Sequence, residues 1–235
     1  MRRLLIALAA LALLLPATAS AAPLSELAPA QLAGSGSCLH ATGASGELLH
    51  DAGGLGGQST PLELLRAGPG GFAPTGTAAL GEESFTCAAV AGRPDGAAVL
   101  AGIVRDPAGR DEIVAADRSP GGTFAAPAVV ARPGGREILE IATALSARGD
   151  ALVAWIEASD SSAHVFASLR PAGGAFGAPE EVSPHENASE TAPGFLGAPA
   201  DRRPFVAWAS RPGGEGPGVP LAQIRTFVRF AQRQP

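Results

Sequence analysis

Carboxylate side chains offer the main chemistry in this chain of 235 residues. Two carboxyl groups set across a glycosidic bond can hydrolyse it, one as the proton donor and the other as nucleophile or base. Glu157 follows Trp155 by two residues in an apolar run, so both side chains would lie on the same side of a strand, as in many sugar sites. The stronger interpretation is that Trp155 packs in a core. The candidate acids are Asp106, Asp111, Glu112, Glu140, Glu157 and Asp160.

Other catalytic signatures are missing from the sequence. The chain contains no G-x-S-x-G elbow, no H-E-x-x-H pair, no Walker loop and no G-x-G-x-x-G turn. Its histidines are scattered and it has only two cysteines, so no zinc site and no cofactor are predicted. The histidines are His40, His50, His164 and His185.

The amino terminus has the pattern of a signal peptide, which we assign to residues 1–21. Two arginines precede an apolar stretch at residues 4–15, and small residues suit cleavage after Ala21. The stretch is too short to cross a bilayer as a helix, so we expect a secreted, extracytoplasmic protein without membrane insertion after cleavage. An uncleaved anchor is the alternative.

Charge narrows the range of partners. Without residues 1–21, 15 arginines face 22 acidic residues, so the net charge of the mature chain is −7. An acidic chain without basic clusters is not expected to bind nucleic acid or anionic membranes. Lysine and tyrosine are absent, and Ala, Gly, Pro and Arg dominate, which indicates a bacterial source with a GC-rich genome.

The two cysteines, Cys38 and Cys87, belong to a chain expected in an oxidising compartment. We therefore predict a disulfide between them, closing a loop of about 49 residues that stabilises the fold by roughly 4 kcal/mol in the chain-entropy model. Two buried free thiols are the alternative.

Three similar turns recur along the chain. Each has paired glycines followed by a phenylalanine, and the three phenylalanines are spaced 52 residues apart. A period near 50 residues is typical of a β-propeller. The residues to which we assign a structural role in these turns are Gly70, Gly71, Phe72, Gly121, Gly122, Phe124, Gly173, Gly174 and Phe176.

The elements between these turns read as strands. In the third repeat, apolar or alternating runs at residues 138–147, 151–156, 164–169 and 176–183 predict four strands, with a polar loop at 158–163. The fourth repeat suggests a third strand at 221–225 and a last strand at 227–232. After a linker at 22–36, the repeats span about 37–84, 85–136, 137–189 and 190–235. We predict an all-β propeller of four blades, each of about 52 residues and four antiparallel strands. A two-sheet β-sandwich is the alternative.

Residues 117–124 resemble the Asp-box of sialidase-like, BNR-repeat propellers, which reads Ser/Thr-x-Asp-x-Gly-x-Thr-Trp. Gly121, Thr123 and Phe124 match the motif, whereas Ser119 replaces its Asp. The resemblance implies a propeller with this box in the turn between the third and fourth strands of a blade, away from any catalytic centre. Sialidase activity is disfavoured, because those enzymes use a tyrosine nucleophile.

In a propeller the longer loops would share one face, and such loops commonly bind ligands. These loops lie at residues 105–111, 134–137, 159–163, 184–191 and 211–220. We predict an exported, non-enzymatic propeller that binds a glycan or an extracellular protein there. A glycoside hydrolase or lyase and a structural envelope protein are the alternatives. The candidate binding residues are Arg105, Asp106, Arg110, Asp111, Glu157, Asp160, His185 and Glu186.

Overall fold

A computed structural model describes residues 39–43, 47–50, 62–68, 71–81, 85–159, 162–183, 205–210 and 227–232. These residues form strands and turns and contain no helix, which confirms the all-β prediction. The strands are β1 (Leu39–Gly43), β2 (Glu47–His50), β3 (Leu62–Gly68), β4 (Gly71–Ala78), β5 (Phe85–Gly92), β6 (Ala98–Arg105), β7 (Asp111–Arg118), β8 (Ala128–Ala131), β9 (Glu137–Leu145), β10 (Ala151–Ser159), β11 (Ser162–Arg170), β12 (Glu180–Glu181), β13 (Phe205–Ser210) and β14 (Phe227–Gln232).

The strands form four sheets that follow one another along the chain. The first sheet has the order β2-β3-β4, the second β1-β5-β6-β7-β8, the third β9-β10-β11-β12 and the fourth β13-β14. All pairs are antiparallel except β1 with β5, which are parallel, with Leu39 opposite Ala88. The first predicted repeat thus contributes its first strand to the sheet of the second repeat, where β1 hydrogen-bonds along the edge of β5.

The second sheet buries both of its faces because apolar residues occupy both sides of its strands. Alternate residues of β5 and β6, among them Val90 and Leu100, pack against Leu62 and Leu64 of the first sheet. The intervening residues pack against the third sheet, where β9 contacts β5 and β6. This second cluster includes Val99, Ala101, Ile103, Ile141, Val153 and Trp155. Each fully buried aliphatic side chain stabilises the fold by about 1.5–3 kcal/mol.

Trp155 lies in the cluster between the second and third sheets. Its exposed fraction is 0%, and its ring stacks on Phe166 with centroids 6.1 Å apart. The interpretation of Trp155 as a core residue is therefore confirmed, and its indole face is not available to stack on a sugar.

The sheets have two distinct edges. The loop edge carries the connections from second to third strands and from one sheet to the next, at residues 105–111, 131–137 and 159–162. The turn edge carries the connections at residues 92–98, 118–128, 145–151 and 170–180. The loop predicted at 158–163 is shorter than expected, because Ser159 pairs with Ser162 and extends the hairpin of β10 and β11.

The fourth sheet is described through two strands, β13 and β14. Trp208 of β13 lies opposite Arg229 of β14, just as Trp155 of β10 lies opposite Phe166 of β11. The strand predicted as the last one of the fourth repeat thus pairs directly with β13. The strand predicted at 221–225, the linker at 22–36 and the signal peptide lie outside the described residues. Within the described part of the chain, no helix of the length and hydrophobicity needed to cross a membrane is found.

Candidate functional site

The connection between β6 and β7 holds four of the candidate binding residues as two ion pairs. Arg105 Nε donates to Asp111 Oδ1 at 3.2 Å. Arg110 donates to Asp106 Oδ2 through Nε at 2.9 Å and through Nη2 at 2.7 Å. The Arg110 backbone N–H also donates to Asp106 Oδ1 at 2.8 Å. These four side chains are brought together, but each carboxylate is already occupied by an arginine of the same connection.

These contacts also fix the ionisation of Asp106. The backbone N–H of Arg110, followed by its guanidinium, holds the pKa of Asp106 below its ordinary value. A carboxylate whose charged form is favoured in this way is a poor proton donor near neutral pH. The connection is further closed by backbone hydrogen bonds from Asp106 N to Arg110 O and from Gly109 N to Asp106 O, both 2.8 Å long. It is thus a rigid, charged hairpin tip rather than an open binding loop.

A second group of polar side chains lies at the loop edge of the third sheet. We refer to Arg136, Glu157, His164 and Glu181 as the polar cluster. Glu157 is 7% exposed, and its Oε1 accepts a hydrogen bond of 2.9 Å from Trp155 Nε1. Its Oε2 lies 4.0 Å from Arg136 Nη1. The indole therefore fixes one carboxylate oxygen and leaves the other facing the arginine.

The imidazole of His164 extends this cluster towards β12. His164 lies directly opposite Glu157 in the pairing of β10 with β11. Their side chains consequently share a face of the sheet, with Cβ atoms about 4.5–5.5 Å apart. His164 Nδ1 is 2.8 Å from Glu181 Oε1, which also accepts a hydrogen bond of 3.4 Å from Ser183 Oγ. The geometry therefore places an imidazole between two carboxylates beside a guanidinium.

Backbone irregularity and hairpin register together position this cluster. A bulge between Ile156 and Glu157 shifts the register of β10 against β9, so that Glu157 faces Ile138. Bulges re-aim side chains and often lie beside functional sites. The two-residue connection of β10 to β11 then fixes His164 opposite Glu157.

Sequence reasoning found Glu157 but missed its partners. A loop was predicted at 158–163, so the hairpin register that aligns Glu157 with His164 was not predicted. Arg136 and Glu181 were missed because they belong to other parts of the chain. The pair follows from the pairing of Ser159 with Ser162, because antiparallel pairing then aligns Glu157 with His164. The residue types at 158–163 do not indicate that register.

The acids proposed for glycosidic chemistry do not all converge. Glu140 is buried on β9 opposite Ile156, on the face of the third sheet away from Glu157. Glu112 accepts a hydrogen bond of 2.6 Å from Arg132. Asp160, His185 and Glu186 lie outside the described residues, as does Cys38. Cys87 is buried in β5, and no free cysteine is found among the described residues.

Paired glycines lie in the turns at the turn edge. Gly71, Gly121 and Gly173 have φ angles of 108°, 68° and 71°, a region that favours glycine. Gly122 N donates to Ser119 O at 3.0 Å, and Gly174 N donates to Pro171 O at 2.9 Å, so the second and third repeats form the same turn. Gly70 lies outside the described residues.

The chemistry available to the polar cluster is hydrogen bonding and proton transfer. Carboxylates accept hydrogen bonds from hydroxyl groups, imidazole can donate or accept them, and guanidinium donates them. Over the described ranges of the chain, no group of three or more His, Cys, Asp or Glu side chains is arranged to hold a metal ion.

Comparison with known proteins gives no family for the chain. No family model and no curated protein matches it. Among solved structures, the crystal structure of alpha-L-arabinofuranosidase from Lactobacillus brevis is similar, with a TM-score of 0.40 and 13% sequence identity. The similarity covers 73% of this chain and 62% of the arabinofuranosidase chain, so this chain spans less than two thirds of that protein. The Asp-box resemblance stays a prediction.

Proposed function

We propose that the chain is an exported, non-enzymatic β-propeller of four blades that binds a glycan through the polar cluster at its loop edge. Each of the four sheets corresponds to one blade, with β1 at the inner edge of the second blade and β9 at the inner edge of the third. The proposal concerns the mature chain after removal of residues 1–21.

The stacking of the sheets supports a propeller over a β-sandwich. A sandwich buries one face of each of two sheets. Here the second sheet lies between the first and the third, with a separate apolar cluster on each of its faces. The third sheet carries a further buried cluster on its other face, which includes Ala142, Leu152 and Ile156. Successive sheets with both faces buried are expected when blades are arranged around an axis.

The observation that carries the proposed function is the juxtaposition of Glu157, His164 and Glu181 at the loop edge. Glu157 is held by Trp155 through one oxygen only, and the imidazole of His164 lies between the two carboxylates. Neighbouring hydroxyl groups of a sugar ring can donate to such carboxylates and accept from the guanidinium of Arg136. Because the rings of Trp155 and Phe166 pack below the cluster, its side chains are held in place before a ligand arrives.

The ionisation and the positions of the surrounding acids favour binding over hydrolysis. Asp106 is a poor proton donor, and Glu140 lies on the other face of the third sheet from Glu157. Trp155 is buried and cannot support a sugar ring. Within the polar cluster Glu157 and Glu181 could still act as a pair, so the experiment must record bond cleavage as well as binding.

The test uses the purified mature protein with a panel of bacterial and plant polysaccharides, recording both retention on the polymer and release of reducing ends. We expect retention without release. Glu157→Gln keeps an oxygen for the Trp155 N–H but removes the charge, and His164→Gln removes the imidazole. Each should weaken retention about tenfold or more, since a hydrogen bond to a charged group is worth roughly 1.5–3 kcal/mol.

The matched control is Glu112→Gln, the same substitution at a loop-edge carboxylate outside the polar cluster. It should bind like the parent protein. Release of reducing ends that stops in Glu157→Gln would show a glycoside hydrolase instead. If no polysaccharide is retained, or if all three variants behave alike, the proposed site is wrong.

A further inference from the structure

β7 and β11 each end in an arginine that is followed by a turn with paired glycines and a phenylalanine, and Arg66 lies at the corresponding sequence position in β3. Arg66, Arg118 and Arg170 are spaced 52 residues apart, like the phenylalanines. The guanidinium carbon of Arg118 lies 5.0 Å from the ring centroid of Phe124, and that of Arg170 lies 5.3 Å from the ring of Phe176. Each of these two arginines is thus held over the aromatic ring of its own turn by a cation–π contact.

The same arginines reach the preceding sheet. Arg170, at the end of β11 in the third sheet, forms an ion pair with Asp117 of β7 in the second sheet. Arg118, at the end of β7, forms an ion pair with Glu47 of β2 in the first sheet. The Glu47 side chain is 2% exposed and also accepts a hydrogen bond of 3.1 Å from Arg66. Each arginine therefore combines an aromatic contact within its sheet with a charge contact across to the neighbouring sheet.

The ion pairs in the β6–β7 connection at the loop edge have a different geometry. Arg105 with Asp111 and Arg110 with Asp106 close a single connection within the second sheet. Breaking either of these pairs removes no contact between two sheets. Breaking a turn-edge pair does remove such a contact, because its two members belong to different sheets.

We propose that Arg118 and Arg170, each with the phenylalanine of its turn, form a latch: each pair holds its sheet against the preceding sheet at the turn edge. Arg170 is 13% exposed, and its Nε is a buried atom without a hydrogen-bond partner. Loss of Asp117 would leave this guanidinium buried and uncompensated, which costs more than the loss of an exposed pair. Phe176 packs against the core cluster that contains Trp155, so Trp155 reports whether the second and third sheets stay packed together.

The experiment follows Trp155 in the mature protein carrying Trp208→Phe, so that one tryptophan remains. Acrylamide quenching of Trp155 and its urea unfolding curve are measured for Arg170→Gln, Asp117→Asn and the charge swap Arg170→Asp with Asp117→Arg. We expect both single variants to raise quenching in the native state. Each should lower the ratio of folded to unfolded protein about tenfold, and the swap should recover part of both effects.

Arg105→Gln is the matched control, because it breaks an Arg–Asp pair within one sheet. It should leave quenching unchanged. The latch is refuted if Arg170→Gln and Arg105→Gln give the same quenching and the same urea midpoint. If Arg170→Gln does not fold, Asp117→Asn decides, because the Asp117 side chain is 49% exposed and its replacement leaves the packing of Arg170 on Phe176 in place. Parental quenching and stability in Asp117→Asn would also refute the latch.

Discussion

Two carboxylates at the loop edge show that immediate contacts decide what an acidic residue can do. Asp106 accepts hydrogen bonds from both the backbone and the guanidinium of Arg110, so both of its oxygens are occupied. Glu157 is buried, and it contacts one indole N–H and an arginine at 4.0 Å. The sequence ranks the two acids alike, because neither contact follows from residue type or spacing.

The lowered pKa of Asp106 has a consequence for stability. Because this pKa is lower in the folded chain than in the unfolded chain, the contribution of Asp106 is present above about pH 4, the ordinary carboxyl pKa. It is lost as the pH falls through the lower folded value. We expect Asp106→Asn to remove this part of the acid dependence, measured as the thermal midpoint between neutral pH and pH 3.

Arg110→Gln separates the two causes of the Asp106 shift. The backbone N–H of residue 110, the larger cause, survives this substitution, whereas the guanidinium does not. The acid dependence should therefore lie between those of the parent and Asp106→Asn. A profile identical to that of Asp106→Asn would mean that the guanidinium, not the backbone, controls the ionisation.

At the scale of elements, the turns are the part of the fold most directly encoded in the sequence. Paired glycines predicted tight turns, and the first glycine of the pair in the second and third repeats has a positive φ. A strand's register against its neighbour is encoded less directly. The register of β10 against β11 places Glu157 opposite His164. This position depends on a bulge and on a two-residue connection that no local sequence pattern indicates.

Gly121→Ala tests the backbone of these turns. A Cβ at Gly121 would meet no atom within 4 Å, so its cost is the conformation at φ +68° alone, about 1–2 kcal/mol. Gly134→Ala is the control, since the space there is equally open and no positive φ is required. Urea unfolding should show a clear loss for Gly121→Ala and little change for Gly134→Ala. Equal effects would mean that the turn is not strained by a side chain.

The pairing of β1 with β5 sharpens the disulfide prediction. Leu39 lies opposite Ala88, and the cysteines are the residues immediately before each of them. We expect the two cysteines to be linked, because a disulfide requires Cα atoms about 4.4–6.8 Å apart and hydrogen-bonded neighbouring strands lie at such a distance. Peptide mapping without reductant should find the two cysteines linked, and Cys87→Ala should lower the unfolding free energy by roughly 2–5 kcal/mol. Alkylation of both thiols in the folded, unreduced protein would contradict the link.

At the scale of the whole molecule, the sequence predicted the class of fold but not the contacts that join one sheet to the next. Alternating apolar residues and regularly spaced turns are local signals, so the all-β class was within reach. The placement of β1 in the neighbouring sheet and the arginine contacts between sheets depend on contacts between distant residues.

Because β1 pairs with β5, the boundary between the first two sequence repeats and the boundary between the first two sheets differ by one strand. During synthesis β1 emerges before its partner, so this non-local pairing must wait for β5 and contributes to slow folding. A fragment that begins at Phe85 would contain a complete run of four antiparallel strands but would lack β1. The edge of β5 would then present unpaired backbone N–H and C=O groups, which can pair with a strand of another chain. The repeats are consequently not interchangeable modules, and a shortened chain is more prone to self-association than to independent folding.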